Sequence, residues 1–354
     1  MKISIGANVI EGPWGGGNLF FRNFINYFNN LGNEVINDLS HDDIDIILLT
    51  DPRKDSESSS FTHKDIEQYL KYINNEALVV QRINECDERK STQGLNDFYV
   101  DANKVADHTV FVSSWISNIY KKLGINENKS SVFLGGGDSS VFNLENKIRW
   151  DKKEKIRLVT HHWSNNRNKG FEIYKQLDSI LNKEPYKSNI DFTYIGNFPK
   201  DLKLDNIKII PPMYGDSLAS ELKSYHIYIT ASLNEPSGNH HIEAAQSRLP
   251  ILYMNSGGIP EYCGGFGVIY NFENLEEKIN ELIDNYDYYF DKLLSYPFNN
   301  ENLLAKYDEL FQDLKNNRKE LIIQRGNIET TNLFNSFFFR AIFKLKKIIN
   351  NIRN

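Results

Sequence analysis

Residues 225–254 carry the pattern that most restricts the fold. Tyr225, His226, Ile227, Tyr228, Ile229 and Thr230 form a β-branched and aromatic run that reads as a strand. Pro236, Ser237 and Gly238 make a turn. A short helix is expected from near Asn239 through Ile242 and Ala245, ending before Pro250, and Ile251–Met254 reads as the next strand. Two carboxylates sit in this unit. Glu235 lies just past the first strand and Glu243 inside the helix, eight positions later. From a loop and from a helix they can reach one ligand from two sides. The free N–H groups of Gly238, Asn239 and His240 fall between them at the helix N-terminus, which favours an anion.

The N-terminal half has the same grammar. Lys2–Val9 reads as a strand, and Glu11 to Gly17 as a glycine loop. Leu19, Phe20, Phe24, Phe28 and Leu31 follow at helical spacing, with Gly32 as the C-cap. Phe20 stands where a dinucleotide fingerprint counted from Gly15 needs a small residue, and no Gly-Lys-Ser/Thr completes a phosphate-binding P-loop. Further strands are expected at Glu34–Asn37, Asp45–Leu49, Leu78–Ile83, Thr109–Val112 and Ser131–Leu134, with helices at Asp101–Asp107 and from Ser113 to Gly124. Asp51 to His63 is polar and Ser-rich and reads as a mobile loop. The polar run around Arg82, Asn84 and Asp87 lies at a strand's C-terminal end, where open α/β sheets place ligand groups. Those three residues are candidates for ligand contacts.

Glu145 to Lys155 is charged and reads as a linker. Ile156–Thr160 then opens a second series, with a loop over His161–Gly170, a helix from Phe171, strands at Phe192–Gly196 and Ile207–Ile210, and helices at Ser217–Ser224 and Leu275–Asp284. Leu303, Tyr307, Leu310, Phe311 and Leu314 mark a late helix. Repeated strand–loop–helix units imply an α/β protein of two Rossmann-like domains. The expected divisions are residues 1–148, 149–300 and a closing segment at 301–354.

Composition removes several classes. The chain of 354 residues has a net charge of −6, which gives no basic footprint for nucleic acid. Cys86 and Cys263 lie far apart, which argues against a disulfide framework or a zinc ribbon and fits a reducing cytoplasm. Met1 runs directly into the first strand, which does not read as a signal peptide. The His161-His162 and His240-His241 pairs are poor chelates, because adjacent residues on one element point apart.

Glu235 and Glu243, the Ala244-Ala245 that follows, and the Gly257-Gly258-Ile259-Pro260-Glu261 turn together resemble the retaining group 1 glycosyltransferases of GT-B fold, a glycosyltransferase family 4-like group. The apolar strand, glycines and Asp138 leading to Phe142 are similar to that family's passage into its second domain. The resemblance covers roughly residues 1–315. It implies two Rossmann-like domains facing a cleft, a last helix crossing back to the first domain, and metal-independent sugar transfer from a UDP- or GDP-sugar, with no permanently bound cofactor. It places Glu235 at the donor sugar, Glu243 at the ribose, Lys169 at the diphosphate, Met213 at the nucleobase, and Gly16, Gly17, Gly238, Asn239 and His240 around the donor. One departure is clear. The family's Arg, about six residues before Lys169, is replaced by Trp163, leaving Arg167 or His162 as substitutes. Glycan or lipid-linked acceptors are implied, as in polysaccharide biosynthesis. The alternatives are a catalytically dead GT-B module binding a glycan or partner, and a sugar-nucleotide epimerase or sugar phosphorylase of the same fold.

The tail lies beyond the resemblance. Phe334, Phe337, Phe338, Ala341, Ile342, Leu345, Ile348 and Ile349 trace one apolar helical face, and Arg340, Lys344, Lys346, Lys347 and Arg353 follow the last acid, Glu329. A basic amphipathic helix over 332–354 on an otherwise acidic chain reads as a contact with the inner face of a membrane. Packing on protein is the competing reading.

Overall fold

The computed structural model describes residues 1–10, 15–326, 339–341 and 343. Two parallel six-stranded sheets organise the chain. The first carries β1 (Lys2–Ile5), α1 (Gly15–Asn30), β2 (Glu34–Ile36), β3 (Ile46–Leu49), α2 (His63–Tyr72), β4 (Leu78–Ile83), α3 (Asp87–Lys90), α4 (Leu95–Asn103), β5 (His108–Phe111), α5 (Ser114–Lys122) and β6 (Ser130–Val132). Its order is β2-β1-β3-β4-β5-β6.

The second carries β7 (Ile156–His162), α6 (Phe171–Leu181), α7 (Tyr186–Asn189), β8 (Ile190–Gly196), β9 (Ile207–Ile210), α8 (Gly215–Leu222), β10 (Ile227–Thr230), α9 (Asn239–Gln246), β11 (Ile251–Met254), α10 (Ile259–Cys263), β12 (Gly267–Tyr270), α11 (Leu275–Asp284) and α12 (Tyr286–Lys292). Its order is β12-β11-β10-β7-β8-β9. The order reverses direction between β7 and β10, and an open parallel sheet leaves a crevice at the carboxyl ends of such a pair.

Strands buried on both faces explain the unbroken apolar runs, since every residue of β3, β4, β10 and β11 is buried. Phe20, Phe24 and Phe28 line the inner face of α1. Against them lie Tyr307 and Phe311 of α13 (Asn300–Asn316), with the Phe28 and Phe311 ring centroids 5.5 Å apart. The late helix therefore crosses back onto the first domain. Burying each such ring contributes about 1.5–3 kcal/mol. From α14 (Arg318–Arg325), Arg325 Nε donates to the buried Asp107 at 3.0 Å.

Several local expectations shift. β1 ends at Ile5, because Ala7 N turns to Ile5 O and Asn8 N to Ser58 O. Gly15 to Gly17 open α1 instead of forming a loop. The segment after Asp51 is tied down by Asn8 Nδ2 on Glu57 O and Ser59 O and by the buried Phe61. It ends in a helix, α2, capped reciprocally by Thr62 and Asp65. The helix expected at 101–107 lies at 95–103, and Asp107 N instead bonds Val79 O. β7 runs two residues further, so His161 and His162 pair with β8 and are not loop residues.

Among the described residues no helix is long and apolar enough to cross a membrane. Most of the tail stripe lies outside the described residues. Within them, the Phe339 ring stacks on Tyr72 at 5.0 Å, Arg340 Nε donates to Tyr72 O at 3.1 Å, and Phe343 packs against the core beneath α2.

Candidate active site

The chain leaving β10 turns at the mouth of the β7–β10 crevice and presents Glu235, which is only 6% exposed. Its Oε2 accepts from Lys169 Nζ at 2.8 Å and its Oε1 from Arg89 Nε at 2.9 Å. Burial alone would raise the carboxyl pKa, but these two cations hold it down to about 2. Glu235 is thus an ionised, hydrogen-bonded acceptor at neutral pH.

Lys169 is delivered by a short 3-10 turn, Arg167–Lys169, ending at Gly170 with φ of 80°. A side chain at Gly170 would run into the backbone of Ala231 at the exit of β10. The close approach requires glycine and locks the Lys169 loop to the Glu235 loop. Leu233 N donating to Asn168 O at 2.7 Å makes the same connection. From the other side, Gly258 N donates to Glu235 O at 2.9 Å, so the Gly-Gly turn supports this backbone too.

Next comes the N-terminus of α9, where Asn239 faces the first domain. A methyl on Gly16 would lie 2.8 Å from Asn239 Oδ1, so the first turns of α1 and α9 converge across the cleft. Gly17 has open space in place of a side chain. One turn into α9, Glu243 Oε2 lies 2.8 Å from His161 Nε2. The buried His161 Nδ1 has no partner among the described residues.

His161 belongs to a packed group beneath the helix start. His240 sits with ring centroids 4.8 Å from both His162 and His241. His240 Nε2 is 2.8 Å from Thr230 Oγ1, and His162 Nε2 is 2.9 Å from the Tyr174 hydroxyl. Burial drives the His162 and His240 pKa values well down and that of His241 to about 3, so these rings are neutral near pH 7. Among the described residues no group of three potential metal ligands is assembled. His240 therefore sits under the helix start, reached by Thr230.

The remaining candidates divide. Met213, after β9, packs at the edge of the second domain's core. Arg167 is exposed and paired with Asp201, away from Glu235. Together with the half-exposed Trp163 and Phe198 it lines a separate cavity of about 820 Å³. His162 is buried inside the sheet and does not replace the absent Arg. Arg82 is also buried, its guanidinium 4.4 Å from the Phe20 ring centre, so it serves the packing of α1. Asp87 spends its carboxylate on its own loop, accepting from Leu95 N at 3.1 Å, Asn96 N at 2.9 Å and Thr92 Oγ1 at 2.7 Å. Asn84 follows β4, half-buried. The group that does reach the site from this segment, Arg89, was not among the sequence candidates.

Residues 156–285 match the family model described as glycosyl transferases, group 1. The second domain belongs to the group 1 glycosyltransferases. Solved structures extend the likeness from this segment to the full fold of the chain. Anabaena HepE in complex with UDP has a TM-score of 0.66 at 13% identity, covering 88% of this chain and 100% of that one. A glycosyltransferase from Rickettsia africae ESF-5 gives 0.64 at 14% identity, covering 88% and 98%. Sucrose-phosphate synthase from Thermosynechococcus elongatus gives 0.60 at 12%, covering 89% and 99%. At these identities the shared property is the GT-B fold of two Rossmann-like domains. No curated protein matches the sequence.

Proposed function

We propose that this group 1 chain transfers a sugar from a nucleotide-sugar donor, a UDP- or GDP-sugar, to a hydroxyl of a glycan or lipid-linked acceptor, with retention at the anomeric carbon. One observation carries the reading. The Glu235–Lys169 pair stands at the β7–β10 reversal point, beside the N-terminus of α9 and one helical turn from Glu243. HepE, of the same fold, has been solved in complex with UDP-glucose, which supports a nucleotide sugar as donor.

In this reading the anomeric C–O bond to the diphosphate breaks, and the electron pair leaves with the phosphate oxygen. Lys169 and the N–H groups of Gly238, Asn239 and His240 offset the growing charge, so no metal is required. Glu243 accepts from the ribose hydroxyls, with His161 fixing its orientation. Glu235 holds hydroxyls of the donor sugar. The acceptor oxygen attacks from the face the diphosphate leaves, and its proton passes to the leaving phosphate oxygen. The products are a glycoside and a nucleoside diphosphate. Gly16 and Gly17 give the donor room at the start of α1, and Met213 stands on the nucleobase side. The basic tail would hold the enzyme at a membrane surface near a lipid-linked acceptor.

A panel of UDP- and GDP-sugars tests this. Release of nucleoside diphosphate with at least one donor is expected, with an unchanged anomeric configuration in the product by NMR. Lys169→Ala should lower turnover by about 100-fold or more, since its charge counts most as the leaving group forms. Donor binding without turnover would instead indicate a GT-B binding module, and Trp163 in place of a basic residue is the feature that favours that outcome.

A further inference from the structure

If the chain works as just described, its second domain is short of positive charge. Two negative charges must be met on the departing diphosphate, and among the described residues that domain brings only Lys169 to the site. Trp163 is uncharged, and Arg167 is turned toward Asp201.

We propose that Arg89, from the first domain, is a catalytic residue: the second cation at the donor diphosphate, which completes the site only when the two domains are docked. Its guanidinium already faces the same carboxylate as Lys169, from the opposite side. Nη1 is anchored by both oxygens of Glu85 at 2.9 and 3.0 Å, while Nη2 has no hydrogen-bond partner among the described residues. A planar fork held at one end with a donor to spare suits a phosphate oxygen better than a flexible ammonium does.

The helix that carries it is seated on the donor loops. Asn168, next to Lys169, donates from Nδ2 to Arg89 O at 2.8 Å and to Ser91 Oγ at 3.2 Å. Asn234, next to Glu235, donates to Glu88 O at 3.3 Å. On its own side α3 is fixed by the Asp87 bonds and by the Tyr120 hydroxyl donating to Glu85 O at 2.8 Å. Glu235 thus stands in for the anion until donor arrives, keeping both cations in place. A first domain that supplies a charge for the leaving group couples catalysis to docking of the two domains, which disfavours transfer to water.

The inference rests on the donor-site reading, and the test separates the two. Wild type, Arg89→Ala, Arg89→Gln and Arg89→Lys are titrated with UDP and uridine, and with GDP and guanosine, and assayed for turnover. The Ala and Gln variants should bind the preferred diphosphate about tenfold more weakly, keep nucleoside affinity, and lose turnover by about 100-fold or more. Arg89→Lys should recover part of the diphosphate affinity. Unchanged diphosphate affinity and turnover overturn the proposal. So does an equal loss for nucleoside and diphosphate, which would mark a purely structural role. If wild type binds neither diphosphate, the transferase reading falls and this inference with it.

Discussion

Three histidines buried beneath one helix start, His162, His240 and His241, make the protein sensitive to acid in a way its surface charge does not. The His241 imidazole is fully buried, and neither ring nitrogen has a partner among the described residues. Its folded pKa, lowered by burial to about 3, lies below an unfolded value of about 6.5. The unfolded chain therefore binds protons that the folded chain refuses. The stability this residue contributes is present above the unfolded pKa and is lost as pH falls toward the folded one. At pH 5 the loss is about 2 kcal/mol from His241 alone, and His162 and His240 act in the same direction. His241→Leu should flatten the fall of melting temperature between pH 7 and pH 5. An unchanged slope would mean that other groups govern acid lability. Glu235 adds to the loss only at lower pH, as its carboxyl protonates on the way to about 2. The placement of residues at the crevice was legible where a motif fixes it locally, as for Glu235, Glu243 and Lys169. Arg89 was not, because its partner lies 146 positions away and nothing in the local sequence separates it from Arg82, whose charge is spent on the Phe20 ring.

Elements were legible where burial on both faces or a cap writes a local signature. β4, β9, α9, β11 and α11 fall where their apolar runs and flanking turns place them. α2 was overlooked although Thr62 and Asp65 form a capping box, because the Ser-rich run before it reads as loop. Register and crossings were not legible, since they depend on contacts distant in sequence. The double crossing between domains is the clearest case. Gly137 N donates to Phe298 O at 3.2 Å and Asn300 N to Gly137 O at 2.9 Å, so the two connecting segments run side by side. A methyl at Gly136 would collide with the carbonyl of Asn299, a backbone atom with nowhere to move unless the segments part. Gly136→Ala should cost about 1–3 kcal/mol, the scale of overpacking, read as a lower urea midpoint. Wild-type stability would show that the crossing yields without strain, and would remove it as a constraint on how the domains sit.

At the scale of the molecule, the docked state is built from bonds that cross the cleft: Glu261 accepting from Ser114 N at 2.7 Å and Trp115 N at 2.9 Å, the Tyr262 hydroxyl donating to Val112 O, and the Arg89–Glu235 pair. α13 lies on the first domain, and the sequence after it is rich in positive charge. Arg340, Lys344, Lys346, Lys347 and Arg353 concentrate positive charge on a chain of net −6. Phe339 and Phe343, which pack beside α2, are not part of the apolar stripe read from the sequence. Anionic lipid should add about 1 kcal/mol for each basic residue at the surface, screened by salt. The full chain should therefore float with phosphatidylserine-containing liposomes at low salt, float less with pure phosphatidylcholine, and be released as salt rises. A variant carrying Lys344→Glu, Lys346→Glu and Lys347→Glu should lose most of the flotation while releasing nucleoside diphosphate from a water-soluble acceptor reaction at the wild-type rate. Flotation equal for both chains, or absent from both at low salt, would assign the stripe to protein packing, and the acceptor would then have to reach the cleft without help from a bound membrane surface.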